Sequence, residues 1–247
     1  MSRVISISSG KGGVGKTTVA TNLAAALSFK FKDSVIVVDC NITASHLGLH
    51  FGKYYYPVNL NHVLRGEADL KDAIYEHSHG IKFIPASLSL KDLKRTDIGE
   101  IKKLISELKK EADFIILDTA PGLGRETMSV LRASDEVIFV STLFTPSIAD
   151  LIRCNEAVKE MGTRALGIVL NMSSRRDELS KEEVESLVGL PVLEVIPIDK
   201  NILKSLIARQ PVVLYKPKCK VSRKFYSIAA QIKGVEYTHD LFDFLKR

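Results

Sequence analysis

SSGKGGVGKTT, residues 8–18, decides the fold. Gly10, Gly15, Lys16 and Thr17 fit the spacing G-x-x-x-x-G-K-[ST], the signature of a loop that wraps a phosphate chain. The apolar run RVISIS (3–8) precedes it and the Ala-rich TTVATNLAAALSFKF (17–31) follows, so the loop is expected between a strand and a helix. Glycines let the backbone turn tightly enough to aim N–H groups at phosphate oxygens, and a helix starting near Lys16 adds the positive end of its dipole. Lys16 is then expected to pair with β- and γ-phosphate oxygens, and Thr17 to ligate Mg²⁺ through its hydroxyl. One lysine suffices for that task, yet Lys11 is a second.

Outward from the loop, short apolar β-branched runs recur: SVIVVDC, IKFIPAS, DFIILDTA, EVIFVST, RALGIVLNM and PVLEVIP. Continuous rather than alternating apolar residues suit strands buried on both faces. Between them GEIKKLISELKKEA, SIADLIRCNEAVKEM and SKEEVESLV carry apolar residues at three- and four-residue intervals, and Ser180 with Glu183 forms a capping-box pattern. The expected fold is α/β: a mostly parallel twisted sheet with helices on both faces and ligands beyond the carboxyl ends of its strands. Two acidic residues fall at such ends. Asp118 closes DFIILD and is a candidate to hold the metal through a water; Asp39 closes SVIVVD and is the second acidic candidate. Either one alone could instead be a helix N-cap. Gly122, in DTAPG, is a candidate γ-phosphate sensor.

Composition agrees with a globular chain. Of 247 residues, 45% are hydrophobic and 26% charged, and no low-complexity tract stands out, so one large domain is expected. No apolar run reaches the roughly 18 residues of a membrane span, and the start lacks a signal-peptide pattern, which points to the cytoplasm. Cys40, Cys154 and Cys219 are far apart with no C-x-x-C pair, arguing against a disulfide framework, a zinc knuckle or an iron–sulfur carrier. A net charge of +6 admits anionic partners without choosing among them.

With Lys11 in place, KGGVGKTT reads as a deviant Walker A sequence, and the chain resembles the MinD/ParA family of P-loop ATPases, most of all its archaeal MinD branch. The resemblance continues through VVDCN, LDTAPGLG, GIVLN, VIPIDKNILKSLIARQPVVLYKP and SRKFYSIAAQI, nearly the whole chain. It implies a three-layer P-loop fold over residues 1–234, ATP and ADP as ligands with Mg²⁺, and ATP hydrolysis. It also implies a face-to-face homodimer with ATP between the subunits, in which Lys11 crosses to the partner's phosphates. Dimer contact then depends on a triphosphate, because without its anion the ammonium would be buried unpaired. The nucleotide site implied comprises Gly10, Lys11, Gly12, Gly13, Val14, Gly15, Lys16, Thr17, Thr18 and Gly122, with Asn171 on the adenine and Pro197 and Asp199 completing the base pocket. For the last three the alternative is ordinary turn chemistry. Metal ligation falls to Thr17, Asp39 and Asp118, catalysis to Lys11, Lys16, Asp39, Asn41 and Asp118, and Asp150 sits where the family has an acidic residue on the dimer face. The first switch commonly reads D-x-D, whereas here Asp39 is followed by Cys40 and Asn41. An amide orients water but is a poor proton acceptor, so slow hydrolysis is expected.

The end of the chain, residues 235–247, is read separately. Leu241, Phe242, Phe244 and Leu245 would span roughly 160° of a helix, with Asp240, Asp243, Lys246 and Arg247 opposite. Bacterial relatives use such a tail to bind membrane, so residues 238–247 look like a membrane-targeting sequence on the inner face of the cell membrane. A terminal helix folded onto the body is the alternative. The function expected is spatial regulation of cell division or polar positioning with an unidentified regulatory protein. The rivals are a ParA-like protein binding DNA nonspecifically, through a surface including Lys216, Lys218, Lys220, Arg223 and Lys224, and a metal-insertion or cluster carrier. His46 and His50 share a helical spacing but lack the acidic partner of a zinc site.

Overall fold

The computed structural model describes residues 2–77, 79–93, 96–174 and 176–237. The tail 238–247, and with it the membrane-targeting reading, lies outside the described residues. Eight strands form one sheet: β1 (Arg3–Ser8), β2 (Val35–Asp39), β3 (Tyr75–Glu76), β4 (Lys82–Ile84), β5 (Phe114–Asp118), β6 (Glu136–Ser141), β7 (Arg164–Ser173) and β8 (Val192–Pro197). Their order is β3-β4-β2-β5-β1-β6-β7-β8, parallel except for the β3–β4 pair. The helices are α1 (Lys16–Phe31), α2 (Leu47–His50), α3 (Leu60–Leu64), α4 (Leu90–Leu93), α5 (Ile101–Leu108), α6 (Arg125–Ala133), α7 (Thr145–Glu160), α8 (Lys181–Val188), α9 (Lys200–Ile207), α10 (Val212–Tyr215) and α11 (Lys220–Lys233).

Alternation along each central strand explains the continuous apolar runs. Ile5, Ile7, Val35, Val37, Phe114, Ile116, Ile138 and Val140 face one cluster, which includes α1, α10 and α11. Val4, Ile36, Val38, Ile115 and Leu117 face a second cluster with α5, and Val137, Phe139, Ile168 and Leu170 face a third with α7 and α8. Both faces are covered, so apolar residues fill consecutive positions of the central strands rather than every second one. The parallel α/β fold expected from the sequence is therefore observed, and the Ser180–Glu183 capping box closes the start of α8. Edge strand β3 was not foreseen, since two residues carry no readable period.

Chain direction positions the site. β1 lies between β5 and β6, so the loop leaving β1 emerges where the strand order reverses, the crevice in which open α/β sheets bind ligands. Adjacent strands β2 and β5 run in register, and Asp39 faces Asp118 across the last rung. Helix α1 is inserted deeply, with every residue from Val19 to Leu27 buried. It packs against the sheet beneath and α10 and α11 above, and Asn22 accepts the Val213 N–H at 3.1 Å. A helix enclosed on all sides needs small residues, and Ala20, Ala24, Ala25 and Ala26 supply them. Enlarging Ala25 to leucine is expected to lower stability by about 1–3 kcal/mol through overpacking, read from urea unfolding; an unchanged midpoint would mean that this layer holds unused space.

Candidate nucleotide and metal site

The loop after β1 is built on two left-handed glycines, Gly13 (φ 80°) and Gly15 (φ 93°), the second directly preceding α1. These conformations cost little for glycine and strain any residue with a Cβ. Space follows the same division: a Cβ on Gly13 would meet nothing within 4 Å, whereas one on Gly15 would lie 2.3 Å from Nδ2 of Asn171. Gly12 and Gly13 thus border an open cradle, while Gly15 is tight against the neighbouring strand. Gly10 is tight as well, since an added Cβ would stand 2.4 Å from Cβ of Asp150 in α7. Asp150 itself pairs with Arg153 at 3.7 Å.

The two lysines of the loop have opposite environments. Lys16 is 7% exposed, and its ammonium donates to Ser9 Oγ at 2.9 Å. Burial holds its pKa below the ordinary lysine value, with the Asp118 charge pulling the other way. Lys11 is exposed, and its carbonyl accepts from the Ser9 hydroxyl at 2.6 Å. Ser9 therefore fixes the loop backbone and the buried ammonium together. Sequence reasoning did not single it out; its position immediately before Gly10 is the signal available.

Thr17 donates its hydroxyl to Asp118 Oδ2 at 2.6 Å, joining the start of α1 to the end of β5. Asp118 Oδ1 is buried without a partner among the described residues. Asp39, 0% exposed, accepts from Ser45 Oγ at 2.6 Å, from Leu47 N at 3.1 Å and from Asn41 N at 3.2 Å, so it also holds the start of α2. Burial raises Asp118 above the usual carboxylate range, the Asp39 charge raises it further, and Thr17 and Lys16 oppose the shift. Asp39 is raised by burial as well, against the hydrogen bonds from Ser45, Leu47 and Asn41. Two facing carboxylates, a hydroxyl between loop and strand, and one orphaned carboxylate oxygen make a donor set suited to a hard divalent cation. The residues present fit Mg²⁺.

Other predicted residues fall around this centre. Gly122, with φ 75°, donates its N–H to the Ser9 carbonyl at 2.8 Å, which ties the loop after β5 to the phosphate loop. Val14 is buried, and its carbonyl accepts from Asn171 Nδ2 at 2.8 Å; the Thr18 carbonyl accepts from Asn22 and Thr21 inside α1. Asn171 is buried near the end of β7, and Ser173 two residues on pairs with Pro197 of β8. Asp199 also has a structural task, because its Oδ1 caps α9 by accepting from Asn201 N at 2.7 Å. Asn41 turns its amide into its own loop, donating to the Ala44 carbonyl at 2.8 Å. His46 lies between Ser45 and Leu47, which both bond Asp39, and among the described residues no group of three or more His, Cys, Asp or Glu could hold a metal by itself. A cleft of about 370 Å³ opens nearby on Ile42, Thr96, Asp97, Ile98, Arg125 and Glu126, beside the cradle rather than over it.

Comparison with known proteins agrees with this geometry. Residues 2–168 match the model of an AAA domain family, and residues 128–239 match that of 4Fe-4S iron sulfur cluster binding proteins of the NifH/frxC family. An uncharacterized ATP-binding protein of Methanocaldococcus jannaschii is 36% identical over 94% of this chain and 88% of its own length. The cell division ATPase MinD of Pyrococcus furiosus superposes with a TM-score of 0.90 at 34% identity, covering 95% of this chain and 99% of that one. The septum site-determining protein MinD of Pyrococcus horikoshii, solved in complex with Mg-ADP, gives a TM-score of 0.89 at 33% identity over 94% and 96%.

The buried carboxylates set a pH dependence. A carboxyl whose folded pKa lies above its unfolded one destabilises the fold on ionising, so stability without metal falls as pH rises from 3.8, the ordinary value, through about 7 for Asp118. The slope is at most about 1.4 kcal/mol per pH unit for one group. Asp118→Asn is therefore expected to raise the melting temperature of the metal-free protein at pH 7.5 and to raise it less at pH 5; an equal effect at both values would contradict the assignment.

Proposed function

The chain belongs to the MinD/ParA family of P-loop ATPases, and we propose on that footing that it binds ATP with Mg²⁺ and hydrolyses it slowly. The ATP state dimerises face to face and attaches to a membrane surface, acting in spatial regulation of cell division or polar positioning. The observation that carries this reading is the contrast within one loop: Lys16 buried beside Thr17 and Asp118, Lys11 exposed at its rim. Lys16 binds and orients the phosphates, and the backbone turning through Gly12, Gly13 and Gly15 encloses them. Thr17 and Asp118, with Asp39 behind them, would hold a Mg²⁺ ion, which would supply charge neutralisation for the phosphates. Gly122 responds to the γ-phosphate, and its N–H link to Ser9 carries that response to the loop after β1. Asn171, Pro197 and Asp199 border the adenine.

Lys11 then acts between subunits. Its ammonium is available to a second copy bound across the nucleotide, so dimerisation follows the triphosphate. Residues 238–247 supply one weak membrane contact per subunit. Two such contacts on a dimer act with an effective local concentration, which makes membrane residence depend on ATP. No helix among the described residues is long and apolar enough to cross a membrane, which fits a peripheral attachment. A regulatory protein would meet the exposed Tyr54 and Tyr55 beyond the first switch.

The rivals have less support. For nonspecific DNA binding, Lys224 is already engaged with Glu194 at 2.8 Å, which weakens the basic surface proposed for it. For cluster binding, Cys154 and Cys219 fall in separate apolar clusters.

Sedimentation with anionic liposomes tests the reading. The full chain is expected to pellet with Mg-ATP and not with ADP, and both Lys11→Ala and a chain ending at Gly234 are expected to remain in the supernatant. Pelleting by the Lys11 variant would remove the link between dimer and membrane, and absence of pelleting in every state would move DNA binding to the front.

A further inference from the structure

We propose that Glu126 is a further catalytic residue of this site, supplying the second carboxylate that the first switch lacks. The inference rests on the ATPase reading above and deepens it.

Three observations lead to Glu126. Asn41 stands where the resemblance calls for a carboxylate, and its side-chain amide is committed to the Ala44 carbonyl at 2.8 Å, so it serves its own loop. Two residues on, the Thr43 hydroxyl lies 3.5 Å from Asn41 Oδ1 and 3.3 Å from Glu126 Oε2, so Asn41, Thr43 and Glu126 form one polar chain between the two switch loops. Glu126 sits in the first turn of α6, at the end of the segment whose Gly122 is bonded to Ser9 of the phosphate loop. A backbone tether therefore links Glu126 to the cradle, and a side-chain tether holds it to the first switch. The adjacent Arg125 turns to Asp97 at 3.4 Å rather than neutralising it. Half-burial raises the Glu126 pKa above the usual value, against the Thr43 hydrogen bond, and a carboxylate of higher proton affinity is the better base.

The step balances without any added reagent. The oxygen of a water bonds to the γ-phosphorus, and the bond to the β–γ bridging oxygen breaks with its electron pair leaving on ADP. One proton of the water passes to the Glu126 carboxylate and is later returned to the released phosphate. Thr43 is a positioning residue, holding the carboxylate toward the switch.

Single-turnover hydrolysis of Mg-ATP by the full chain, with binding of a fluorescent ATP analogue measured in parallel, tests this. Glu126→Gln is expected to slow hydrolysis roughly tenfold or more, as for loss of a general base, while ATP affinity stays within about twofold. Asn41→Asp introduced into that variant is expected to restore hydrolysis, because it returns a carboxylate to the first switch. Wild-type hydrolysis by Glu126→Gln with affinity intact would overturn the proposal. So would a parallel loss of affinity and rate, or a double variant as slow as the single one, since either makes Glu126 a structural link. Failure of the wild-type chain to bind the analogue would instead overturn the ATPase reading itself, and the binding measurement separates the two.

Discussion

Two carboxylates face each other across the last rung of β2 and β5, both shut away from water, with one ammonium and one hydroxyl beside them. Like charges in such a place cannot both ionise cheaply, and the nearest cation, Lys16, is itself held below its ordinary proton affinity by burial. The arrangement is therefore incomplete as an electrostatic unit. A divalent cation and a phosphate chain would complete it together, the first answering the carboxylates and the second answering Lys16. Much of the surrounding structure maintains this imbalance: Ser45 and the start of α2 fix Asp39, Thr17 fixes Asp118, and Ser9 fixes Lys16.

The same constraint explains how local events travel. Ser9 touches the Lys16 ammonium and, through its carbonyl, the N–H of Gly122, so the loops after β1 and β5 share one anchor. Asp39 governs both the Asn41–Ser45 loop and α2, so the first switch also hangs from a carboxylate that a metal would contact. Thr43 and Glu126 close the circle between the two switches. A change at the γ-phosphate thus meets hydrogen bonds with few alternatives in a packed interior, which is how a small displacement becomes a change of surface.

The fold was legible because its physics is local in sequence. Runs such as VIVVD and FIILD are apolar at every position since helices cover both faces, and the Gly10–Thr17 spacing describes one continuous turn. Helices α2, α3 and α10, of four or five residues, are too short for a 3.6-residue period to show. The candidate site was legible only in part. Asp39 and Asp118 each announced themselves at a strand end, but their juxtaposition follows from β2 lying beside β5, which no spacing encodes. Ser45 and the Thr43–Glu126 contact were invisible for the same reason. Asp199 reads through the resemblance as part of a base pocket, and its contacts here are those of the N-cap of α9.

The most direct measurement is calorimetric titration of Mg-ADP into the protein near pH 6.5, in two buffers of different ionisation enthalpy. If the paired carboxylates retain protons until a metal replaces them, binding will release protons, and Asp118→Asn will reduce that release. Binding of equal affinity with Mg²⁺ or with a chelator, and with no proton release, would contradict the account of these two aspartates as a seat held ready for a cation.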